Sequence, residues 1–474
     1  MRDAEELKRN GGFISLHESP GLGKPDWYRL GRCRHTYLSR FFPPGGYEKN
    51  ADFYMHRDGT DGTPDFKDRD RCFLHCVPQL DPKEVTVDML ADAARMNLLR
   101  VSKMLMEEYG LDPVEKPTKG TPSYRRPGFN AVQEAIRGGY AELLAVLTNK
   151  NLDLVIDDLG RTVRDYLMMR GCAIRPKDAL EYMGLDTSEA QKSMHLDLSS
   201  SDHYRGWNGK TSQPVDTRCD LPVVDDLDLP TFYYDYFMPG IPFVWKGAAS
   251  SEELDQFARS RWEQTKTLHP TNKFDVATQG APVLTNQTAC PEPFTLDMLD
   301  NGDTCPSTGF TVFRSGNPPD EDEAYPLYEG DPFHEKSVYN RLTGLFDDKL
   351  EDSEPNHYFF FGGDEAGVTW HWHNAAFNTC FVGLKQWRLA PPLWRSFTAL
   401  QSKEAEALVP EEYLVRCTQS PGDMLYLPEF WGHMIINSGF AVGTAMLSNQ
   451  PLENFFEDPD PATYTASPFC AVKE

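Results

Sequence analysis

His371 and His373 stand two positions apart with one tryptophan between them, and this spacing constrains the local fold more than any other feature of the chain. Side chains at positions i and i+2 of a β-strand point to the same face of a sheet. His433 lies 60 residues further on, and on a neighbouring strand it could close a third corner of the same site. The three histidines therefore predict a sheet that brings two strands together around a metal ion.

The chemistry of such a site follows from its ligands. Imidazole binds iron, zinc, copper or nickel, and three protein ligands leave coordination positions open for substrate and oxygen. Sites that keep open positions are catalytic more often than structural. We therefore expect a catalytic metal centre at His371, His373 and His433.

From Asp220 onward, short apolar segments alternate with turns rich in glycine and proline. Apolar segments of this length between such turns are typical of β-strands. A series of short strands in one region predicts a sandwich or a barrel. The strand-like segments are residues 242–245, 358–361, 380–383 and 424–427.

Residues 93–105 and 135–147 share a helical pattern, in which a tight turn near asparagine or glycine separates two helices. A third copy starts at residue 157 and ends at Gly171. These units resemble degenerate ankyrin repeats, whose unit is about 33 residues long, with an insertion looped out around residues 116–126. Unrelated helical hairpins are the alternative. The resemblance implies a protein substrate or partner bound through the ankyrin-like repeats, although a spacer or lid also fits.

These patterns predict a multidomain fold of α and β elements, in which a short ankyrin-type helical solenoid precedes a β-barrel. We expect a solenoid this short to pack against the barrel for stability, because about three repeats are the minimum for a shared core. The predicted parts are an irregular N-terminal extension (1–80), ankyrin-like repeats (84–174), a polar linker (175–218), a barrel domain (219–455) and a C-terminal tail (456–474).

The composition of the chain limits the kinds of partner it is expected to bind and the cellular compartment where it is expected to occur. The net charge of −25 argues against nucleic acid as the main partner, because phosphate-binding proteins carry basic patches. No segment reaches the ~18 apolar residues that span a bilayer, so no membrane partner is expected. The charged N-terminus does not resemble a secretory signal, and a chain of this size needs no disulfide scaffold. An intracellular, cytoplasmic or nuclear location is expected, unless the chain starts internally.

Two further clusters carry alternatives. Cysteines and histidines at positions 33, 35, 72, 75 and 76 could ligate zinc, but their spacing is irregular, and incidental buried residues are the commoner explanation. Acidic residues are concentrated between positions 301 and 360. That segment is either a solvated insertion or a docking face for a basic polypeptide.

Residues 370–392 and 421–437, which contain the three histidines, resemble the JmjC family of cupin-like proteins. Residues 228–247 also resemble the start of that family's domain, so the likeness covers roughly residues 220–450. The resemblance implies a double-stranded β-helix, or jelly roll, with flanking helices. It also implies Fe(II) and 2-oxoglutarate as cofactors, and a dioxygenase that hydroxylates or demethylates proteins.

The resemblance also implies roles for particular residues. His371 and His433 match iron ligands. Lys385 stands where the family places the cation that binds the distal carboxylate of 2-oxoglutarate, a charge-assisted contact. The positions that match polar groups near the cofactor, or that line its pocket, are Asn378, Asn437 and Tyr358. Tryptophans 370, 372, 387 and 431 surround the motif, and we expect most of them to be core residues.

His373 departs from the family pattern, which has an acid two residues after the first histidine. The two-histidine, one-carboxylate triad is the signature of non-haem Fe(II) oxygenases. A neutral imidazole raises the net charge of the site by one, which makes zinc and nickel stronger competitors. Asp364 and Glu365 could supply a carboxylate only if their loop folds inward. Two functions therefore stay open: an oxygenase that hydroxylates a protein, and a catalytically inactive metal-binding adaptor.

Overall fold

A computed structural model describes the chain in several ranges. Three strands, at residues 275–278, 310–315 and 356–362, are described by their backbone alone. The other described residues are 85–117 without 96, 129–173, 194–197, 214–250 without 226, 252, 254, 364, 367–394 without 374, 406–447 without 408, and 459–465.

Five helices of at least eight residues form the N-terminal part of the described chain. Asn97, between the first and second helices, has a φ angle of 55°, and Gly139, between the third and fourth, has one of 69°. Asparagine and glycine tolerate this conformation best. Asn130 and Gln133 form a capping box at the start of the third helix. The helices are α1 (Val87–Arg95), α2 (Leu99–Tyr109), α3 (Ala131–Gly138), α4 (Ala141–Thr148) and α5 (Val163–Ala173).

The predicted alternation of short helices and tight turns is confirmed in α1 to α4. Helix α5 follows the turn at Gly160 (φ 76°) and extends two residues past Gly171, where the third unit was expected to end. The assignment of these helices as ankyrin repeats stays a prediction. The proposed insertion lies mostly outside the described residues.

A short helix, α6 (Leu229–Thr231), leads directly into a π-helical turn at Phe232–Phe237. Asp228 caps α6 by accepting a hydrogen bond from the Thr231 amide at 2.8 Å. The aromatic rings of the π-helical turn pack on the sheet, and the Phe232 and Tyr426 ring centroids are 5.1 Å apart. This turn therefore joins the helices to the sheet.

Thirteen described strands form one mixed sheet. Strands β3 and β4 run parallel, and the other pairs are antiparallel. The strands are β1 (Met194–His195), β2 (Arg218–Cys219), β3 (Val223–Val224), β4 (Phe243–Trp245), β5 (Asp275–Thr278), β6 (Phe310–Ser315), β7 (Asn356–Gly362), β8 (Gly367–His371), β9 (Ala376–Thr379), β10 (Val382–Ala390), β11 (Val415–Gln419), β12 (Met424–Leu427) and β13 (Gly432–Leu447).

Strand β13 organises this sheet. It is 16 residues long and pairs with four other strands, β7, β8, β9 and β10. The sheet curls into a half-barrel consistent with the predicted jelly roll. Every segment expected to be a strand contributes residues to one, although residues 380 and 381 lie in the turn between β9 and β10.

One hydrophobic core runs through the helices and the sheet, and includes Leu144, Phe237 and Tyr426. Buried arginines of the helices also donate to backbone carbonyls near the π-helical turn. Arg170 Nη1 lies 2.7 Å from the carbonyl oxygen of Pro239, and Arg137 donates to the Phe237 carbonyl. The five-part division of the chain stays a prediction. Strand β1 lies within the predicted linker and pairs with β2, which crosses the predicted boundary between the linker and the barrel domain.

A disulfide joins Cys219 on β2 to Cys417 on β11. The sequence did not predict this bond, because a chain of this size needs no disulfide scaffold. The two cysteines are direct partners in the β2–β11 ladder, and facing positions on paired strands bring side chains together. Sequence spacing could not show this, because 198 positions separate the two residues.

None of the helices within the described ranges is long and apolar enough to cross a membrane.

Several predictions concern residues outside the described ranges. They are the irregular extension at 1–80, the cysteine and histidine cluster at 33–76, and the acidic side chains of the 301–360 segment.

Candidate metal centre

His371, His373 and His433 converge at the junction of β8 and β13. His371 is the last residue of β8 and is the backbone partner of His433 on β13. One ligand atom from each ring lies within 4.8 Å of the others. Bonds of about 2.1 Å from three imidazoles to one ion require this kind of approach, so the set fits a metal after small side-chain adjustments. The predicted convergence is present in the structure.

His433 has the most constrained ring of the three. Its Nδ1 lies 3.0 Å from the carbonyl oxygen of Trp431, so a neutral ring that donates there presents the Nε2 lone pair to a metal. Burial, followed by the charges of His371 and His373, holds the pKa of His433 well below its usual value. The ring is therefore neutral near pH 7, and metals bind this form.

His373 lies beyond the end of β8, whereas the sequence predicted one strand that carries both histidines. Its backbone carbonyl accepts a hydrogen bond of 3.0 Å from the Phe430 amide. This contact continues the pairing of the two chain segments past the strand end. His373 is half-buried, whereas His371 and His433 are buried, so His373 lies nearest the solvent.

No carboxylate joins the three imidazoles within the described part of the chain. Asp364 instead accepts a hydrogen bond of 2.7 Å from the Gly439 amide, and Glu365 lies outside the described residues. Among the described residues, the site therefore offers three imidazoles and no carboxylate. Imidazole suits Zn²⁺, Ni²⁺ and Cu²⁺ as well as Fe²⁺, so the ligands alone do not select iron.

Lys385 lies in the middle of β10 and is fully buried. Its ammonium donates to Asn378 Oδ1 at 2.8 Å and to the Thr379 carbonyl at 3.0 Å. Burial lowers its pKa to about 7, an effect that the nearby Cys380 only partly opposes. A buried cation with neutral acceptors is well suited to an anionic ligand, whose charge would offset the desolvation cost.

Two of the other predicted cofactor residues, Asn378 and Asn437, adjoin Lys385, whereas Tyr358 lies further along the sheet. Asn378, on β9, accepts the Lys385 hydrogen bond. Asn437 is buried on β13 and is the backbone partner of Lys385. Tyr358 lies on β7 opposite Ala445, which is also the partner of Asn378. The structure describes only the backbone of Tyr358.

Three of the four tryptophans near the motif are core residues, as expected: Trp370, Trp387 and Trp431 are buried. The Trp387 ring centroid lies 6.0 Å from that of His433, and its Nε1 donates to Gln419 at 2.9 Å. Trp387 therefore forms an apolar wall beside the innermost histidine.

Glu429 and Phe430 belong to the turn before His433, and neither was predicted from the sequence as a site residue. The Phe430 amide donates to His373, as described above, and Glu429 is buried against Arg95 of α1. One signal was present in the sequence, a carboxylate between proline and two aromatic residues at 428–431. Its partner could not be found from local spacing, because 334 positions separate Arg95 from Glu429.

Comparison with known proteins agrees with this geometry. Residues 335–451 match the family model of the JmjC domain. The human protein named JmjC domain-containing protein 8 is 30% identical over 95 residues, which cover 19% of this chain and 36% of that protein. The rat protein of the same name is 29% identical over 96 residues, with the same coverage.

A longer match involves a Caenorhabditis briggsae protein named bifunctional arginine demethylase and lysyl-hydroxylase psr-1. It is 23% identical over 277 residues, which cover 50% of this chain and 64% of that protein. The chain thus spans about a third of the first two relatives and less than two thirds of the third. Residues 335–451, which match the JmjC domain model, contain all three histidines, Lys385 and both asparagines. The chain therefore contains a JmjC domain.

Proposed function

We propose that this protein is an Fe(II)- and 2-oxoglutarate-dependent oxygenase of the JmjC type that hydroxylates a protein substrate. The observation that carries the proposal is a fully buried lysine in the same JmjC domain as three converging imidazoles. An enzyme that bound only a metal would have no use for a buried ammonium, which is costly to desolvate.

In this proposal, the histidines, Lys385 and Asn378 have different roles in binding the metal and the oxoacid. His371, His373 and His433 hold the ion, and Lys385 binds the distal carboxylate of 2-oxoglutarate. Fe(II) with the bound oxoacid supplies the oxidation of an unactivated carbon–hydrogen bond by O₂. Asn378 fixes the direction of the ammonium through its 2.8 Å hydrogen bond.

The protein substrate is the second part of the proposal. Two relatives, from Caenorhabditis briggsae and Caenorhabditis elegans, carry names that refer to arginine demethylation and lysyl hydroxylation. A chain with a net charge of −25 attracts basic polypeptides over long range. The ankyrin-like helices could present such a substrate, because they share one core with the sheet that bears the site.

A catalytically inactive metal-binding adaptor is the second candidate, and His373 favours it. An imidazole in place of the family's carboxylate leaves the ion with its full positive charge. That change alters the redox potential and favours metals other than iron. In this case the helices and the domain would serve protein–protein interaction.

An anaerobic titration distinguishes the two candidates. Fe(II) and then 2-oxoglutarate are added to purified protein, and the visible spectrum is recorded. An oxygenase should develop a weak charge-transfer band only when both are present, and should release succinate once air is admitted. An adaptor should bind the metal without either signal.

Two variants serve as matched controls for this titration. Lys385→Met removes the ammonium and should abolish the band while Fe(II) binding persists. His433→Ala removes a ligand and should weaken Fe(II) binding itself. A wild-type protein that shows neither the band nor succinate would rule out the oxygenase proposal.

A further inference from the structure

Three consecutive residues just before His433 each hold a different part of the molecule. The Glu429 carboxylate contacts Arg95, at the C-terminal end of helix α1. The Phe430 amide donates to the His373 carbonyl at 3.0 Å. The Trp431 carbonyl lies 3.0 Å from His433 Nδ1. Two metal-binding histidines and one helix therefore meet at a single turn, which we call the 429–431 turn.

The contact with α1 is a buried ion pair. Arg95 Nη2 lies 2.7 Å from Glu429 Oε2, and each side chain is only 4% exposed. The Arg95 guanidinium also stacks over the Phe430 ring at 4.7 Å from its centroid, a cation–π contact. Arg95 thus binds two of the three residues of the turn.

The backbone of the turn is strained, so it needs support. Phe430 has a φ of 64°, and a bulky residue in this left-handed region costs about 1–2 kcal/mol. Such a conformation persists only where surrounding contacts over-determine it. The contacts that support Phe430 include Arg95, the His373 carbonyl and Trp372, whose ring centroid is 6.1 Å away.

We propose that Arg95 is a positioning residue of the metal centre. Its ion pair with Glu429 and its stacking on Phe430 fix the 429–431 turn. The turn in turn fixes the His373 backbone and the His433 ring. Residues that orient metal ligands typically change metal affinity 10–100-fold when they are mutated. The helical segment is then part of the metal site, rather than a separate module beside it.

The wider packing supports this role. The Tyr140 hydroxyl, at the start of α4, donates to the Arg95 carbonyl at 3.3 Å. The Trp431 indole donates to the Gly240 carbonyl at 3.2 Å, and Arg170 of α5 binds the same carbonyl. Both ends of the turn are therefore connected to the helices.

The test measures Co²⁺ affinity and the visible d–d absorption bands of bound Co²⁺, which report ligand geometry. We expect Arg95→Met to weaken Co²⁺ binding at least tenfold and to shift the bands. Loss of one partner from a buried pair also destabilises a fold. The double variant Arg95→Met/Glu429→Gln therefore carries the decisive measurement, because no lone charge stays buried.

The control is a second ion pair in the helical segment, in which the Asp157 side chain is buried and the Arg161 side chain is 13% exposed. Arg161 Nε lies 2.6 Å from Asp157 Oδ2, and Arg161 also donates to the Tyr234 carbonyl. Arg161→Met/Asp157→Asn should change stability but leave the Co²⁺ dissociation constant and bands as in the wild type.

The inference rests on the metal centre of the proposed function, and the wild-type titration separates the two. If wild-type protein does not bind Co²⁺, both proposals fail. If wild-type binds and the folded Arg95→Met/Glu429→Gln variant matches its affinity and bands, only the role of Arg95 is overturned. Should both double variants weaken binding equally, the effect is general destabilisation and the inference is again rejected.

Discussion

Lys385 combines a cost in stability with the role in 2-oxoglutarate binding that we propose for it. It is fully buried and its hydrogen bonds go to neutral oxygens of Asn378 and Thr379. Desolvation of the ammonium lowers its pKa from 10.5 to about 7. The unfolded chain therefore binds this proton more tightly than the folded protein does.

The first prediction concerns stability against pH. Between pH 7 and about 10 the unfolded state binds more protons at Lys385, so the free energy of unfolding should rise with pH, by up to about 1.4 kcal/mol per unit. Lys385→Met should lack this contribution. Urea unfolding of both proteins at several pH values measures the difference. Parallel profiles for the two proteins would contradict the lowered pKa.

The second prediction concerns 2-oxoglutarate. The oxoacid needs the charged form of Lys385, whose population falls as pH rises through about 7. The apparent dissociation constant should therefore increase up to about tenfold per unit between pH 7 and 9. Anaerobic titration of the Fe(II) protein measures it. Lys385→Arg stays charged throughout and should bind with a flat profile, so a steep profile there would point to another group.

The third prediction concerns His373. His373→Asp creates a two-histidine, one-carboxylate set, which suits Fe(II). We expect Fe(II) affinity to be kept or increased relative to Zn²⁺, because the added negative charge attracts the ion. Competition with a chelator under anaerobic conditions measures the affinity. His373→Ala serves as the reference, because it removes the third metal ligand without replacing it. Loss of folding in both variants would show that His373 is a packing residue.

At the scale of elements, the register between β8 and β13 decides where the histidines meet. Gly367 on β8 faces Ile436 on β13, and His371 faces His433. A Cβ on Gly367 would clash with the Ile435 carbonyl oxygen, at 1.9 Å. Because that oxygen belongs to the backbone, a side-chain rearrangement could not remove the clash. The close approach of the two strands thus requires glycine at this position.

The fourth prediction follows from this approach. Gly367→Ala should force β8 away from β13, which should lower the free energy of unfolding by about 2 kcal/mol or more and weaken Co²⁺ binding at least tenfold. Gly110→Ala is the matched control, since its φ is 69° but nothing lies within 4 Å of its added Cβ. It should cost about 1 kcal/mol without a change in metal affinity. Equal Co²⁺ affinity in the Gly367→Ala variant would contradict the role of the strand contact.

Local patterns predicted more of these elements than of their connections. The turns at Asn97 and Gly139 depend on a few neighbouring residues, and their prediction is confirmed. The three histidines converge as expected, but the prediction that one strand carries both His371 and His373 is wrong, because β8 ends at His371. The 16-residue strand β13 was not predicted as one element. Its sequence contains asparagine, serine and glycine, which normally interrupt strands, and pairing with four other strands overrides that preference.

At the scale of the whole molecule, long-range connections determine how the site is built, and local sequence reasoning cannot find them. Arg95 and Glu429 are far apart in the chain, as are Cys219 and Cys417. No periodicity joins such pairs, because they depend on the tertiary fold. The disulfide joins β2 to β11. Strand β11 pairs with β10, the strand that carries Lys385.

The fifth prediction concerns this disulfide. A cross-link between residues 198 positions apart restricts the unfolded chain strongly, and native disulfides typically contribute about 2–4 kcal/mol. We expect Cys219→Ala/Cys417→Ala to lower the free energy of unfolding by this amount in urea. Reductant should destabilise the wild type similarly and leave the double variant unchanged. Co²⁺ affinity should change little, because neither cysteine belongs to β8, to β13 or to the 429–431 turn. A wild-type protein insensitive to reductant would mean that the bond does not hold the two strands together.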